Sequence, residues 1–344
     1  MKSIRSSFHS LTVMSILVYP VMAEANVQPR QTPQLDRLAS DISLLGYIPA
    51  GGELSILAAS DYWFGLLSGV RFLPGDSDEL VSVLADTSDE CRYFGTAPWT
   101  PGGDLVLVTA PSSICLPSGL EPAVESGHEV TFKMDGYEYL NDPRTAVGTP
   151  DLEVLELIPD STGQFSFDTP VRGVYWIEVM QQTHSGPSIV LLFPVIAGGT
   201  AADIFSGVIK TADSEASCPS EVLNELNLIR RNRGIPALTP SKALDSLATM
   251  RAQNLAFSGS FSHFGLNICS LPEILPEDIS IYAENIGRGK GYQEAWSMIL
   301  ISPFHLQTCL SEAYNKIGIS GAVDSSEYEW QLVLVLVLAS GADR

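Results

Sequence analysis

Basic residues are scarce in this 344-residue sequence, which has 19 lysines and arginines against 40 aspartates and glutamates and a formal net charge of −21 at pH 7. Binding to nucleic acid or to an anionic membrane surface needs a basic face, and this balance argues against both. The acidity is concentrated in residues 26–217, with 8 basic and 26 acidic residues, whereas residues 218–344 contain 9 and 13. We therefore expect no nucleic-acid partner.

Long hydrophobic runs are also missing, since a membrane-spanning helix needs about 20 apolar residues. The longest run covers residues 11–23, follows Lys2 and Arg5, and ends at small residues. This pattern is typical of a cleaved secretory signal rather than an anchor. We predict a signal peptide over residues 1–25 and a secreted or periplasmic mature protein without a membrane span.

Cysteine is rare, and its odd count leaves at least one thiol without an internal partner. The five residues are Cys91, Cys115, Cys218, Cys269 and Cys309. Disulfides persist in exported proteins, and the first two are the only cysteines of the first half. We predict a Cys91–Cys115 disulfide that contributes about 3 kcal/mol. At most one pair can form among the other three, and the sequence leaves that pairing open.

Residues 27–200 consist mainly of short strand-like runs separated by Pro-Gly, Gly-Gly and Asn-Asp-Pro breaks. The runs are 53–58, 79–84, 104–108, 129–134, 164–167, 173–179 and 188–193. Only residues 34–45 have helical spacing, and residues 182–187 are typical of a hairpin turn. The pattern predicts an all-β, sandwich-like N-terminal domain, followed by a linker over 201–217.

The hydrophobic period changes after this linker. Helices are predicted over 220–234, with Ser220 as N-cap, and over 242–257 and 293–301; another begins with Ser302 as N-cap and Pro303 in its first turn. Strands are predicted over 317–322 and 330–338. We therefore predict a two-domain chain whose second domain, residues 218–344, is α+β.

Motifs of common catalytic and cofactor sites are absent. There is no Gly-x-Ser-x-Gly elbow, phosphate loop or dinucleotide fingerprint, so we expect no organic cofactor. The zinc-protease helix motif that His128 could begin is incomplete because position 132 is Phe. We interpret His128 and His184 as surface turn residues, and the acidic residues 76–79 as a solvated turn rather than a calcium loop.

The second domain contains a more specific set of residues. His263 follows Phe-Ser, Glu284 lies in Tyr-Ala-Glu-Asn-Ile, Glu294 in Gln-Glu-Ala-Trp, and His305 in Ser-Pro-Phe-His. Together with Leu-Asn-Glu-Leu-Asn-Leu-Ile-Arg at 223–230, these segments in this order resemble the CAP superfamily (cysteine-rich secretory proteins, antigen 5 and pathogenesis-related proteins), specifically its bacterial secreted SCP-like branch. The resemblance implies a three-layer α-β-α sandwich with an open cleft lined by these two histidines and two glutamates.

The chain departs from the family pattern near the second histidine. Ile299 stands where the family usually has Trp, and Phe304 replaces the Gly before His305. Thr308 and Cys309 occupy the usual Asn-Ile, so Cys309 is expected to act as a small core hydrophobe. These changes make the cleft more apolar near His305.

The resemblance implies that His263 and His305 bind a divalent cation. Two neutral imidazoles suit Zn²⁺ and leave coordination positions open. Glu284 and Glu294 could orient the rings or act as acid and base on a bound water. The first-turn position of His305 favours its neutral form.

We favour a binding or interaction role, with a small apolar ligand such as a lipid or sterol, or a cell-envelope component. The alternative is a metal-dependent hydrolase or protease that uses the same cleft. The matching segments contain no activated Ser or Cys nucleophile, so binding is favoured over catalysis.

For the N-terminal domain two interpretations stay open. It is an adhesion unit with exposed aromatics, or a structural spacer with those aromatics in its core; the residues concerned are Tyr62, Trp63, Tyr93 and Trp99.

Overall fold

The structure is a computed structural model. It describes residues 10–11, 29–45, 47, 49, 51–64, 69–73, 93–99, 105–110, 115–183, 186–209, 214–258, 263, 279–324 and 331–341. Several predictions fall outside these residues: the predicted strand at 79–84, the acidic turn at 76–79, His184, Cys91, Cys269 and most of the signal peptide.

The described residues between 29 and 110 form a mixed lobe, the N-terminal lobe, rather than part of an all-β domain. Its elements are β2 (Arg30–Gln31), α1 (Pro33–Leu45), α2 (Gly51–Ser60), β3 (Gly69–Leu73), β4 (Tyr93–Pro98) and β5 (Leu105–Ala110). The strands of this lobe share one sheet with β1 (Ser10–Leu11), in the order β1-β3-β5-β4-β2. The described part of the predicted signal peptide is thus a short strand beside β3.

The prediction of an all-β first domain was wrong for this lobe. Residues 53–58, predicted as a strand, lie in α2, while the helical spacing at 34–45 was correct. A short apolar run fits a buried helix as well as a strand, so periodicity alone could not distinguish them. In α2, Leu54 and Leu57 pack with the apolar face of α1, and Ile56 belongs to a different cluster.

The predicted sandwich is present over residues 115–197. Its strands are β6 (Leu116–Ser118), β7 (Ala123–Val124), β8 (Glu129–Asp135), β9 (Arg144–Gly148), β10 (Val154–Leu157), β11 (Gln164–Asp168), β12 (Gly173–Thr183) and β13 (Gly186–Ala197). They form the sheets β10-β9-β12-β13-β7 and β11-β8-β6. Phe132 and Phe165 of the smaller sheet pack with Phe193 and Ile177 of the larger one.

The C-terminal lobe has the predicted mixture of helices and strands. Its elements are α4 (Pro219–Asn232), β14 (Thr239–Pro240), α5 (Lys242–Ser258), β15 (Ile279–Gly289), α6 (Tyr292–Ile301), α7 (Pro303–Leu310), β16 (Lys316–Asp324) and β17 (Gln331–Gly341). The N-cap of α4 is Cys218, with Pro219 in the first turn, rather than the predicted Ser220. The predicted linker begins with a short helix, α3 (Ala201–Phe205).

Alternate residues of β17 separate the layers of this lobe. Val333, Val335 and Val337 pack with α5, whereas Leu334 and Leu336 pack with α4 and α6 on the other face. Because successive side chains of a strand point to opposite faces, an uninterrupted Val/Leu run is what a strand buried on both faces requires. The sheet β14-β16-β17-β15 is therefore the middle layer of an α-β-α arrangement.

The N-terminal and C-terminal lobes share one framework. The strand order β2-β4-β5-β3 corresponds to β14-β16-β17-β15, and in each the first strand pairs in parallel with the second. The long helix, α1 or α5, follows the first strand directly. Tyr93 lies opposite Ala110 in one lobe as Lys316 lies opposite Ala339 in the other.

The same contacts seat the long helix on its strand in both lobes. Asp36 Oδ1 accepts a hydrogen bond from a backbone N–H of β4 at 2.8 Å, and Asp245 Oδ1 accepts one from β16 at 3.1 Å. A Cβ added at Gly95 or at Gly318 would lie 2.0 Å from a backbone carbonyl carbon of the helix. Glycine is needed at both positions because the helix backbone rests directly on the strand.

The lobes and the sandwich share apolar contacts. One buried cluster contains Ile56 of the N-terminal lobe, Trp176 of the sandwich, Ile204 of α3, and Met298 and Ile301 of the C-terminal lobe. None of the described helices is both long and apolar enough to cross a membrane.

The predicted disulfide is not supported. Cys115, Cys218 and Cys309 are all free, and Cys115 is buried. Burial raises the pKa of the Cys115 thiol to about 12. It therefore packs as a small apolar group rather than as one half of a bridge.

Candidate functional site

Glu284 lies at the centre of a buried polar group between α5 and β15. Arg251 donates to both of its carboxylate oxygens, from Nε at 2.7 Å and from Nη2 at 3.2 Å. The ring Nδ1 of His263 lies 3.2 Å from Glu284 Oε1. Arg251 and Glu284 are almost inaccessible to solvent, whereas the ring of His263 is 22% exposed. The imidazole is thus the group of the three that reaches solvent.

The carboxylate of Glu284 stays ionised. Burial acts to raise its pKa, but the hydrogen bonds from His263 and Arg251 and the charge of Arg251 outweigh this and hold the pKa below its ordinary value. An ionised carboxylate at Nδ1 favours the tautomer that keeps the proton on Nδ1. The lone pair of His263 Nε2 is then available to bind a cation.

His305 lies opposite His263, with ring centroids 5.8 Å apart. It lies in the first turn of α7, whose N-cap is Ser302 as predicted; Ser302 Oγ accepts from His305 N at 3.4 Å. Burial, with a smaller contribution from the nearby His263, lowers the pKa of His305 to about 3. The imidazole is therefore neutral at physiological pH and able to bind a ligand.

Two residues fix the path of α7, Asn285 from β15 and Arg230 from α4. Asn285 Nδ2 donates to the carbonyl oxygen of His305 at 2.8 Å and lies 3.1 Å from Cys309 Sγ. Burial raises the pKa of the Cys309 thiol to about 12, so it remains a neutral core group, as predicted. At the other end of the helix, the buried Arg230 donates to the carbonyl oxygens of Cys309 and Ser311 at 2.7 and 3.0 Å.

Glu294 takes part in a different contact. Its carboxylate accepts a hydrogen bond from the backbone N–H of Lys290 at 2.9 Å, at the N-terminus of its own helix α6. The structure thus brings together three of the four predicted site residues: His263, Glu284 and His305.

The residues present fit a weakly held divalent cation. Two imidazoles on one tetrahedral Zn²⁺, with Zn–N bonds of about 2.0–2.1 Å, have centroids roughly 5–6 Å apart, close to the separation of His263 and His305. Within the described part of the chain, no three His, Cys, Asp or Glu side chains are grouped closely enough to hold a metal ion. A cation here would therefore have two protein ligands, and the paired charge of Arg251 would offset that of Glu284.

Sequence reasoning missed three residues that organise the site. Asn285 lies in a segment of the family resemblance and Arg251 in the helix predicted over 242–257, but local sequence gives no indication of their partners. Glu178 lies on β12 of the sandwich and accepts from the backbone N–H of Phe304 at 2.9 Å. An isolated Glu in the apolar run 173–179 is the signal that could have found it, because an unpaired buried carboxylate is costly.

Comparison with protein families matches residues 223–338 to CAP, the Cysteine-rich secretory protein family. A comparison with curated proteins found no match. Similar solved structures include an outer surface protein from Borrelia burgdorferi, at 16% identity and a TM-score of 0.31, covering 35% of this chain and 90% of that one.

Two longer bacterial structures are also similar. One is an extracellular protein containing a SCP domain from Bacillus anthracis str. Ames, at 13% identity and a TM-score of 0.29, covering 66% of this chain and 68% of that one. The other is a cysteine-rich secretory protein from Staphylococcus aureus subsp. aureus Mu50, at 12% identity and a TM-score of 0.27, covering 75% and 89%. The family model matches residues 223–338, which is less than half of the chain.

Proposed function

We propose, from the CAP domain that residues 223–338 form, that this is an exported binding protein whose C-terminal lobe holds a divalent cation, preferably Zn²⁺, between His263 and His305. The observation that carries the proposal is the pair of facing imidazoles, 5.8 Å apart, one oriented by Glu284 and the other held neutral. Export rests on the predicted signal peptide over residues 1–25.

The cation would be a point of attachment for a ligand. With two imidazole ligands it would keep open coordination positions that accept an oxygen atom of a bound molecule. The protein residues contribute orientation: Glu284 fixes the ring of His263, and Arg251 fixes Glu284.

Binding is favoured over hydrolysis by the state of Glu284. A general base needs a carboxylate with a pKa near the operating pH and access to a water molecule. Glu284 is buried, bonded twice by Arg251, and has a lowered pKa, so it is a poor proton acceptor. Glu294 bonds to its own helix N-terminus. The hydrolase alternative therefore has no well-placed base among these two candidates.

Titration calorimetry with Zn²⁺ tests the proposal. We expect wild-type protein to bind one zinc ion and the His263→Ala/His305→Ala double variant to lose this binding. His128→Ala is the matched control because His128 is 61% exposed on the sandwich, far along the chain from the site. Equal zinc affinity in the wild type and the double variant would refute the proposal.

The organic ligand, a small apolar molecule or a cell-envelope component, is proposed from the family resemblance alone, since Ile299 and Phe304 near His305 are buried. Extraction and mass spectrometry of protein purified under native conditions from the exporting cell provide the test. Co-purification of a stoichiometric lipid or sterol, lost in the double histidine variant, would support it. Its absence, together with turnover of a peptide library only when zinc is present, would favour the hydrolase.

A further inference from the structure

A carboxylate outside the C-terminal lobe holds the helix that carries His305. Glu178, on β12 of the sandwich, is fully buried. Both its carboxylate oxygens lie 2.9 Å from Ser302 Oγ, and Oε2 also accepts from the backbone N–H of Phe304 at 2.9 Å. These are the N-cap and an early residue of α7, so a residue far back along the chain from His305 satisfies the start of its helix.

The position suits an acceptor. The first N–H groups of a helix have no partner within the helix and carry partial positive charge, so a carboxylate placed there is stabilising. Ser302 connects the two sides: its hydroxyl donates to Glu178 and accepts from the backbone N–H of His305. The contact thus reaches the backbone of the histidine itself.

Other residues of the same sheet hold the same turn. The guanidinium of Arg144, on β9, lies 4.9 Å from the centroid of the Phe304 ring. A Cβ added at Gly148 would lie 3.4 Å from Pro303. The start of α7 therefore packs against β9 and β12 of the sandwich as well as against its own lobe.

We propose that Glu178 is a positioning residue for His305 and that the sandwich is a structural part of the C-terminal site. This inference rests on the proposed function only in treating His305 as a cation ligand. Removing the carboxylate frees the N-terminus of α7, and the imidazole of His305 then moves relative to that of His263.

The experiment compares Glu178→Ala and Glu178→Gln with Val179→Ala. Val179 is the next residue on β12, fully buried but in the core between the two sheets of the sandwich, so its truncation destabilises the sandwich without touching α7. Two readouts are taken: the zinc dissociation constant by calorimetry, and the ring resonances of His305 by NMR.

We expect Glu178→Ala to weaken zinc binding about tenfold, in line with other residues that orient metal ligands, and to shift the His305 ring resonances. Glu178→Gln, whose amide oxygen can still accept from Phe304, should lie between it and wild type. Val179→Ala should change neither readout. Unchanged resonances and affinity in a folded Glu178→Ala variant would overturn the inference. Shifted resonances in a protein that binds no zinc would support positioning while refuting the proposed function.

A second inference rests on the framework shared by the N-terminal and C-terminal lobes. The sequences at equivalent positions agree: Leu-Asp-x-Leu-Ala occurs at 35–39 and 244–248, and Leu-Val-Leu-Val-x-Ala at 105–110 and 334–339. Each pair of segments occupies the same element, α1 or α5 and β5 or β17, in the same register against the neighbouring strand.

The polar site residues have apolar counterparts in the N-terminal lobe. The helix alignment places Ile42 at the position of Arg251. On the sheet, Val70 lies opposite Val108 as Glu284 lies opposite Val337. Ile42 and Val70 are fully buried in one apolar cluster, whereas their counterparts form an ion pair at 2.7 Å.

We infer that the described residues between 29 and 110 are a second, reduced copy of the C-terminal framework in which buried apolar side chains replace the Arg251–Glu284 pair. The N-terminal copy therefore lacks the carboxylate that orients a ligand imidazole at this position. It keeps the helix-on-strand packing that the aspartate and glycine provide.

A double-variant cycle in the full chain tests the equivalence. Ile42→Arg and Val70→Glu should each lower the denaturant midpoint, because each buries a lone charge. Combined, they should recover part of that loss by pairing as Arg251 and Glu284 do. Strictly additive losses would overturn the inference.

If those variants fail to fold, hydrogen exchange on glycine variants provides a second test. Gly95→Val should increase amide exchange in 33–45 and 93–98, and Gly318→Val should do so in 242–258 and 316–324. Gly291→Ala is the control because no atom lies within 4 Å of its added Cβ. Unchanged exchange in 33–45 for Gly95→Val would contradict the shared packing.

Discussion

At the scale of single residues, the site depends on a buried ion pair rather than on its histidines alone. Glu284 is held by Arg251 on one side and bonds His263 on the other. A buried pair is often replaceable by apolar residues at little cost, whereas removing one partner leaves an uncompensated charge. The N-terminal lobe contains the replaced version, with Ile42 and Val70 in the corresponding positions.

This comparison gives a prediction for the pair. Arg251→Ile should destabilise the protein by about 3–5 kcal/mol, because Glu284 is left buried without its partner. Arg251→Ile/Glu284→Val should recover most of that loss but weaken zinc binding, because His263 loses its orienting carboxylate. Urea denaturation and calorimetry measure the two effects. A double variant no more stable than Arg251→Ile would contradict the prediction.

Glu178 should make stability depend on pH. Burial raises its pKa to about 7, against the lowering effect of the hydrogen bonds from Phe304 and Ser302. Because the pKa of Glu178 is higher in the folded state than in the unfolded state, the folded state binds the proton more tightly. The contribution of Glu178 to the free energy of unfolding therefore falls as pH rises from about 4.5 to about 7 and is constant above that.

The pH effect can be isolated by substitution. Between pH 4 and pH 8 the stability of wild type relative to Glu178→Gln should fall by about 3 kcal/mol, the value of the pKa difference at about 1.36 kcal/mol per unit. Urea denaturation of both proteins across this range provides the measurement. A stability difference that does not change with pH would contradict the raised pKa of Glu178.

At the scale of elements, α7 is defined by what holds its two ends. Ser302 and Glu178 satisfy its N-terminus, and Arg230 bonds the carbonyl oxygens of Cys309 and Ser311 at its C-terminus. An eight-residue helix is too short to be stable alone in water, so these contacts and the packing of Leu306 determine that it forms.

The N-cap can be tested directly. Ser302→Ala should cost about 1–2 kcal/mol, because it removes the cap of α7 and leaves the carboxylate of Glu178 with one donor fewer. Ser246→Ala, at an exposed serine within α5, is the control and should change stability by less than about 0.5 kcal/mol. Thermal unfolding monitored by circular dichroism measures both. A loss at Ser302 no greater than about 0.3 kcal/mol would show that the cap is not stabilising.

At the scale of the whole molecule, the lobes and the sandwich are joined through a common apolar cluster. Ile56, Trp176, Met298 and Ile301 come from three parts of the chain. Arg233, the C-cap of α4, also donates to the carbonyl oxygen of Asp151 in the sandwich. Burial of side chains from several units in one cluster couples their unfolding.

We therefore expect the described parts of the chain to unfold together. Ile56→Ala should lower stability by about 2–5 kcal/mol and shift a single calorimetric transition without splitting it, since the cavity forms where the units meet. Leu44→Ala, at a leucine 85% exposed on α1, should change stability by less than about 0.5 kcal/mol. Two separated transitions in wild type would contradict this coupling.

The aromatic residues of the N-terminal lobe bear on the adhesion interpretation. Trp63, Tyr93 and Trp99 pack against its core, and the rings of Trp63 and Tyr93 meet edge to face at 5.7 Å; Tyr62 is 53% exposed. These contacts favour the structural interpretation for three of the four, because ring area buried in a core is not available to a partner.

Local patterns were enough to predict most of the C-terminal lobe. The helical spacing at 242–257, the Ser-Pro start at 302–303 and the Val/Leu run at 332–339 each act over a few residues, through periodicity and capping. They were correct because neighbouring residues in the chain carry the information. The same reasoning failed at 53–58, because a short apolar run fits a buried helix as well as a strand and the contacts that decide between them come from distant parts of the fold.

Which residues meet was decided by packing between distant segments. Arg251 pairs with Glu284 across 33 positions, and Glu178 reaches Ser302 across 124. Such contacts form only when helices and sheets from distant parts of the sequence pack together. No local sequence pattern encodes that packing. The two histidines and the family to which their motifs belong could be read from the chain alone. Tertiary packing decided that Glu284 is paired with Arg251, that Glu294 bonds a backbone N–H at the start of its own helix, and that Glu178 of the sandwich bonds the N-cap of the helix of His305.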